Sequence, residues 1–351
     1  MVFQAAVGAT DTAKITVITV SGYFRNRNRI LYRVSYSAGE LLLNIILFED
    51  NFFRGGGKCR LVLPPSDDRA DHIRRILKLE PGDTFKAGII DGPAGEMRLE
   101  GYEYCDEGGK PGVRLCWRET DPPIGLYPLV LLVGYTRPIS AQRILREAAS
   151  LGVEHIVFTG TENGEKSYRE AKLWKGEGTR RFLIDGLQQA GGTVLPKVHH
   201  TGNVSEALHA AESAVRGGDH GKNRQSTSES GLGGYREGGS GNGGVFRLLL
   251  DNEIGECSLS SLDLRAPRFE TGGETPESAA EGYAAKSAAG GGYPSGHVIL
   301  AVGSERGWTG GEREKFLDAG YLPAKLGTRV LRTETACAAG IALSLSRMGF
   351  V

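Results

Sequence analysis

The chain has 351 residues and contains no C-x-x-C pair; its five cysteines, Cys59, Cys105, Cys116, Cys257 and Cys337, are scattered. That spacing excludes a zinc framework and a disulfide scaffold, and fits buried or free thiols in a reducing compartment. No run approaches the ~20 apolar residues that cross a bilayer. The first apolar run, Ile15 to Val20, follows no basic segment and is too short for a signal peptide. Neither G-x-G-x-x-G nor G-x-x-x-x-G-K-[ST] occurs, which leaves a dinucleotide- or nucleoside-triphosphate-binding enzyme unsupported. The seven histidines lack ligand spacing, and the adjacent pair His199-His200 would point to opposite faces of a strand, so no metal is expected. An excess of charge is also missing: 42 basic and 42 acidic residues give a net charge of zero. A neutral total lowers the expectation of a nucleic-acid partner without excluding it, because binding needs only a local basic face.

Glycine, by contrast, is abundant, with 52 residues, about twice the ordinary usage of roughly 7%. The excess is concentrated at 217–244 and 256–295, where Gly alternates with Ser, Asn, Ala and Glu. Such segments bury too little apolar surface to offset chain entropy, which predicts two dispensable low-complexity insertions. Residues 1–43 read as an extension, expected to be poorly ordered, with Arg25, Arg27, Arg29 and Arg33 as either a solvated basic tail or an RNA-contacting arm. From 44 to 123, short β-like runs at Arg60 to Leu63, Thr84 to Ile90, Glu96 to Tyr102 and Val113 to Trp117 alternate with turns and suggest a small barrel. Between the first two, Ile73, Ile76 and Leu77 make one helical face and leave Arg74, Arg75 and Lys78 outward.

Residues 124–351 read as α/β. The strand Tyr127 to Gly134, a helix capped by Ser140 with Ile144, Leu145, Ala148 and Ala149 inward, and the strand Glu154 to Phe158 form one βαβ unit, hence a parallel sheet. Further strands are expected at Val194 to Val198, Val245 to Asp251 and His297 to Gly303. Thr309 and Glu312 form a capping box for a helix that Gly320 closes. The last helix, Glu334 to Met348, carries small residues, Ala338, Ala339 and Ala342, that permit close approach to the chain's own sheet or to a second subunit.

Two segments carry a family resemblance: V-G-S-E-R-G-W-T-x-x-E over 302–312, and L-G-T-R-V-L-R-T-E-T-A over 326–336. They resemble the paired signature of the ribosomal RNA small subunit methyltransferase E family, uridine N3-methyltransferases of the SPOUT superfamily. The second matches almost letter for letter. In the first, Ser304 stands where the family has proline and Arg306 where it has glycine. The resemblance implies a C-terminal parallel-sheet SPOUT domain with a trefoil knot over 124–351, preceded by a PUA-like RNA-binding β-barrel over 44–123. Family members usually begin near the equivalent of Asn44, so residues 1–43 are an extension or an upstream region included by the choice of start codon.

The same resemblance implies S-adenosyl-L-methionine as cofactor, held by Val302, Gly303, Gly307, Leu326, Gly327, Val330, Leu331, Thr335 and Ala336. It further implies a cytoplasmic homodimer that methylates uridine N3 in 16S RNA of the small ribosomal subunit. His72, Lys78, Gly82 and Asp83 match a family stretch thought to contact RNA, which with the outward Arg75 gives His72, Arg75 and Lys78 as candidate RNA-binding residues. Uridine N3 must lose its proton to attack. Within the motif only Glu334 has base chemistry at neutral pH, and Arg332 can stabilise the charge that develops on O2 and O4. Glu334 reads more readily as a carboxylate placed to face a helix N-terminus, and Trp308 as a core residue before a stacking platform. Glu147, Ser150 and Gln188 to Gly192 depart from the family's polar residues, which favours as alternative a catalytically inactive RNA- or ribosome-binding relative.

Overall fold

The computed structural model describes residues 15–21, 31–37, 45–50, 60–103, 110–216, 244–265 and 296–351. Strands β1 (Ile15–Ser21) and β2 (Leu31–Ser37) pair antiparallel from Ile15↔Ser37 to Ser21↔Leu31. Both strands lie within the stretch 1–43 expected to be poorly ordered. The rest of that stretch, with Arg25, Arg27 and Arg29, lies outside the described residues.

Strands β3 (Ile46–Phe48), β4 (Arg60–Leu63), β5 (Thr84–Ile89), β6 (Ala94–Glu103) and β7 (Gly112–Asp121) form a sheet in the order β3-β5-β6-β7-β4. Its end strands share one core: Ile46, Phe48, Leu61 and Leu63 cluster with Ile73, Met97, Leu99 and Leu115, which curls the sheet about a single apolar centre. Asp67 caps α1 (Asp68–Asp71), which continues as a wider turn over His72–Leu77 and ends at Lys78, φ 50°. Arg75 and Lys78 are exposed there and His72 is half-buried. Arg74, expected outward, is instead bound by Asp71 and by the carbonyls of Pro65 and Pro111, with only 11% of its side chain exposed.

The second sheet is built from β8 (Tyr127–Gly134), β9 (Val153–Thr159), β10 (Lys197–Thr201), β11 (Val245–Leu250), β12 (Cys257–Ser258), β13 (His297–Val302) and β14 (Leu322–Lys325). Its order is β10-β9-β8-β13-β11-β14-β12, and every pairing is parallel. Helices α2 (Pro138–Ser150), α3 (Lys166–Arg169), α4 (Gly178–Ala190), α5 (Val204–Arg216), α6 (Gly310–Asp318) and α7 (Thr333–Met348) connect the strands. The apolar runs are explained by burial on both faces: Leu129, Leu131 and Val133 enter one core with α2 and α7, while Val130 and Leu132 enter another with α5.

Three expectations shift. Helix α2 is capped at Arg137, not Ser140, because Pro138 occupies its first turn, where a fixed φ and a missing N–H cost nothing. The strand expected at Val194 to Val198 starts at Lys197: Pro196 cannot donate to the ladder, and Thr193 and Leu195 bond to the first sheet's Gly92 and Asp91 instead. The stretch 256–295 is not low-complexity from its start, since Leu259 is 0% and Leu264 2% exposed within the core. Residues 266–295 and 217–243 lie outside the described residues. The two sheets are joined through β3, where Leu47 and the preceding Ile45 face the second core while Ile46 and Phe48 face the first. Arg180 adds a two-bond pair to Glu49 at 2.7 and 3.1 Å.

Two outcomes follow from this packing. Leu264→Ala should cost about 2–5 kcal/mol in denaturant unfolding, as a core truncation does, whereas replacing 266–295 by a short linker should leave the thermal midpoint nearly unchanged. A deletion that unfolds the protein would refute the boundary. The second concerns His155, which is buried with its Nδ1 2.9 Å from His199 Nε2. Burial first, then the charges of His199, Lys197 and His297, depress its pKa to about 4, from an unfolded value of about 6.5. Glu154, 3.8 Å away, does not reverse this. The unfolded chain therefore takes up a proton that the folded chain refuses, and stability is full above pH ~6.5 and lost as pH falls toward 4. Urea midpoints measured across that window should decline, less steeply for His155→Gln; identical slopes would remove His155 as the cause.

Candidate active site

The carboxyl ends of β8, β11, β13 and β14 converge, the place where open parallel sheets bind ligands. Strand β13 ends at Val302, and a turn closed by the Gly307 N–H to the Ser304 carbonyl (2.9 Å) follows, with Gly307 at φ +68°. Backbone crowding dictates the glycines. A Cβ on Gly303 would stand 3.0 Å from Gly307 Cα, and one on Gly134 would stand 2.8 Å from the Ser304 nitrogen. Thr309 then caps α6 in a full capping box with Glu312, whose carboxylate also accepts the Glu162 N–H at 2.8 Å. Trp308 is 3% exposed and meets Phe316 edge-on, so it belongs to the core as expected. Its indole N–H nevertheless has no partner among the described residues, and it borders the cleft beneath the turn.

That cleft, about 810 Å³, is walled by the turn 303–307, the loop after β11, the start of α2 and residues 325–336. Of the candidate residues, Val302, Gly303, Gly307, Leu326, Val330, Leu331, Arg332, Glu334 and Ala336 all line it. Gly327, at φ +155°, and Thr335 do not; both are exposed. His72, Arg75 and Lys78 lie on the first sheet's helix and line no part of the cleft.

Glu334 occupies the first turn of α7 with 12% of its side chain exposed. Burial alone would raise its pKa, but its own backbone N–H, the Ser140 hydroxyl and the Arg143 guanidinium at 3.3 Å outweigh burial and hold it below the usual carboxylate range. Arg332 is the N-cap residue of α7. Its guanidinium, like those of Arg329 and the Lys325 ammonium, has no hydrogen-bond or ion-pair partner among the described residues, and all three border the cleft. Arg137 donates its backbone N–H to Glu305 at 3.0 Å, and the Tyr168 hydroxyl raises the pKa of its guanidinium.

Sequence reasoning missed the opposite wall. Asp251, 8% exposed, accepts the N–H groups of Glu253 and Ile254 at 2.8 and 3.2 Å and the Arg313 Nε at 2.8 Å, tying the loop after β11 to α6. Arg313 reaches Glu253 as well, at 2.7 Å. The acidic Asp251-Asn-Glu253 at a strand end was the available signal, but its partner lies 62 residues away. Ser140 and Arg143 were likewise missed as partners of Glu334. The altered positions Glu147, Ser150 and Gln188 to Gly192 do not line the cleft: Ser150 donates to the Gly186 carbonyl at 2.9 Å, and Gly191 ends α4 at φ +78°.

The RNA methyltransferase domain family matches the chain over residues 124–229 and 271–345, a span that includes most of the parallel sheet. The chain is 34% identical over 305 residues to the ribosomal RNA small subunit methyltransferase E of Treponema pallidum (strain Nichols), covering 87% of this chain and 91% of that protein. It is 26% identical to the ribosomal RNA small subunit methyltransferase E 1 of Borreliella burgdorferi, covering 87% and 99%. Two solved structures share its fold. A methyltransferase of Legionella pneumophila in complex with S-adenosylmethionine aligns with a TM-score of 0.55 at 17% identity over 86% of this chain and 97% of the other. The ribosomal RNA small subunit methyltransferase E of Neisseria gonorrhoeae bound to S-adenosylmethionine aligns at 0.52 and 18% over 87% and 97%.

Proposed function

The chain belongs to the ribosomal RNA small subunit methyltransferase E family, and from that membership we propose that it transfers the methyl group of S-adenosylmethionine to N3 of a uridine in 16S RNA of the small ribosomal subunit. The observation that carries the reading is the cleft itself. The 326–336 motif forms one wall at the carboxyl ends of four parallel strands, and cations without partners among the described residues border it.

The residues present fit the cofactor. The buried Trp308 N–H beneath the 303–307 turn has no acceptor among the described residues, and a Cβ on Gly303 would stand 3.0 Å from Gly307 Cα while Gly307 itself faces open space. Val302, Gly303, Gly307, Leu326, Val330, Leu331 and Ala336 would hold it, with Gly327 and Thr335 shaping the loop and helix start from outside the wall. When bound, it supplies an electrophilic methyl on a sulfonium. The protein's part is to align N3 with that methyl and exclude water. Arg332 is free to stabilise negative charge developing on the uracil oxygens. Glu334 is held as an ion by three donors, which lowers its basicity; the balance favours a positioning role, anchoring Arg143 and the start of α7, over proton acceptance.

This reading also takes the trefoil knot, the PUA-like character of the first sheet with His72, Arg75 and Lys78 toward RNA, a cytoplasmic setting and the homodimer from the family. For the dimer, the small residues of α7 are partly committed to the chain's own sheet: a Cβ on Gly340 would stand 2.9 Å from Leu250 and from Leu300. The mouth of the cleft supplies apolar surface instead, with Ile139 56% and Val330 85% exposed.

Methyl transfer to undermodified small subunits, with the product mapped to N3, tests the whole reading; no transfer by a cofactor-binding protein would defeat it. Arg332→Ala should lower the single-turnover rate by ~10²–10³ with cofactor affinity little changed, and loss of cofactor binding would make Arg332 a binding residue. Glu334→Gln should leave the pH–rate profile in shape, whereas a flattened acid limb would restore Glu334 as the proton acceptor. Light scattering at micromolar concentration should give twice the chain mass; a monomer that binds cofactor tightly would count against the dimer.

A further inference from the structure

Beside the cleft lies a second recess of about 260 Å³, and Arg137, Ser304, Glu305 and Arg306 line both, so the two are adjacent. Its base is Tyr135, 4% exposed and fixed from behind: its hydroxyl is 3.0 Å from His200 Nδ1, and its ring packs on Phe158 and Trp174. One side is the half-buried ring of Tyr168, whose hydroxyl engages the Arg137 guanidinium and whose carbonyl accepts the Trp174 indole N–H at 2.7 Å. The facing side is Arg306, which donates to the Asn163 carbonyl at 3.0 Å and stands 3.8 Å from Glu165, with 65% of its side chain exposed.

Aromatic rings and guanidinium planes held in place by hydrogen bonds are the surfaces on which proteins stack unpaired bases. The recess is about a third of the cleft's size, room for a base rather than for the cofactor. N3 lies on the Watson–Crick edge of uracil, so the acceptor nucleotide must be unpaired when it reacts, and a neighbouring base that leaves the stack with it needs a surface to meet.

We propose that this recess binds the base of the nucleotide next to the methylated uridine, stacked against Tyr168, with Arg306 placed at the boundary to meet the phosphate between the two. The inference rests on the proposed methyl transfer to RNA. Arg306 stands where the resembled signature has glycine, so this contact distinguishes the chain from that pattern.

The test uses the full chain and undermodified small subunits, with KM and kcat measured for wild type, Tyr168→Ala, Tyr168→Phe and Arg306→Gly. Tyr168→Ala should raise KM for the subunit about tenfold, the scale of one lost base–aromatic stack, with kcat at saturation changed less than about threefold. Its calorimetric affinity for S-adenosylmethionine and its thermal midpoint should match wild type. Tyr168→Phe, which keeps the ring, should restore KM, and Arg306→Gly should raise KM and reduce the salt dependence by about one ion. A Tyr168→Ala variant with wild-type KM would overturn the proposal, and so would one that loses cofactor affinity, which would assign the recess to the cofactor. Wild-type turnover separates the two readings: an inactive wild type defeats the methyl transfer, while an active one with an indifferent Tyr168 defeats only the recess.

Discussion

Helix α7 lies against the parallel sheet at a distance that only glycine allows. A Cβ at Gly340 would stand 2.9 Å from Leu250 on β11 and from Leu300 on β13. Those two strands are neighbours, and each ends in a wall of the cleft, so seating the middle of α7 on them sets where its first turn stands. Arg332 and Glu334 owe their position to this contact further along the helix: a helix fixed in its interior by Cys337, Ile341 and Leu345 in the core cannot shift its N-terminus. Deepening the contact by a methylene forces side chains off their rotamers, because close-packed interiors do not yield by small amounts.

The parallel sheet was legible because its strands are buried on both faces and therefore read as continuous apolar runs, and the capping box at Thr309 because its two partners are three residues apart. The 326–336 motif was legible as a family signature. What escaped was set by long-range partners. Ser140 read as a cap from its place before an apolar stripe, yet Pro138 starts the helix two residues earlier and frees Ser140 to bond Glu334 across the cleft. Asp251 read as the end of a strand, and only the fold brings Arg313 to it. Arg74 read as outward from helical periodicity, which cannot anticipate carbonyls at Pro65 and Pro111 waiting for a donor.

Two of the altered family positions, Ser150 and Gln188, stand at packing joints in this chain. Helices α2 and α4 cross so closely that a Cβ at Gly186 would stand 2.3 Å from the Arg146 carbonyl, and Ser150 spans the same crossing with a hydrogen bond to the Gly186 carbonyl. The Gln188 carbonyl accepts the Ile45 N–H, and Thr193 bonds to Gly92, so the end of α4 and the chain after it hold the two sheets together. Polar residues changed here alter a joint between domains, which the sequence comparison alone would count as lost chemistry.

Zero net charge and an RNA substrate are reconciled by how the arginines are partnered. Arg180 is spent on Glu49, Arg247 on Glu212, and Arg313 on Asp251 and Glu253. Such pairs neutralise one another within a few ångströms and contribute little field at a distance. Lys325, Arg329 and Arg332, by contrast, sit together on the cleft border with no carboxylate to answer them among the described residues. A phosphate approaching within a Debye length, ~8 Å at physiological salt, feels that local surplus and not the average of the chain. The composition therefore hides a basic site, because the other cations are balanced by carboxylates within a few ångströms.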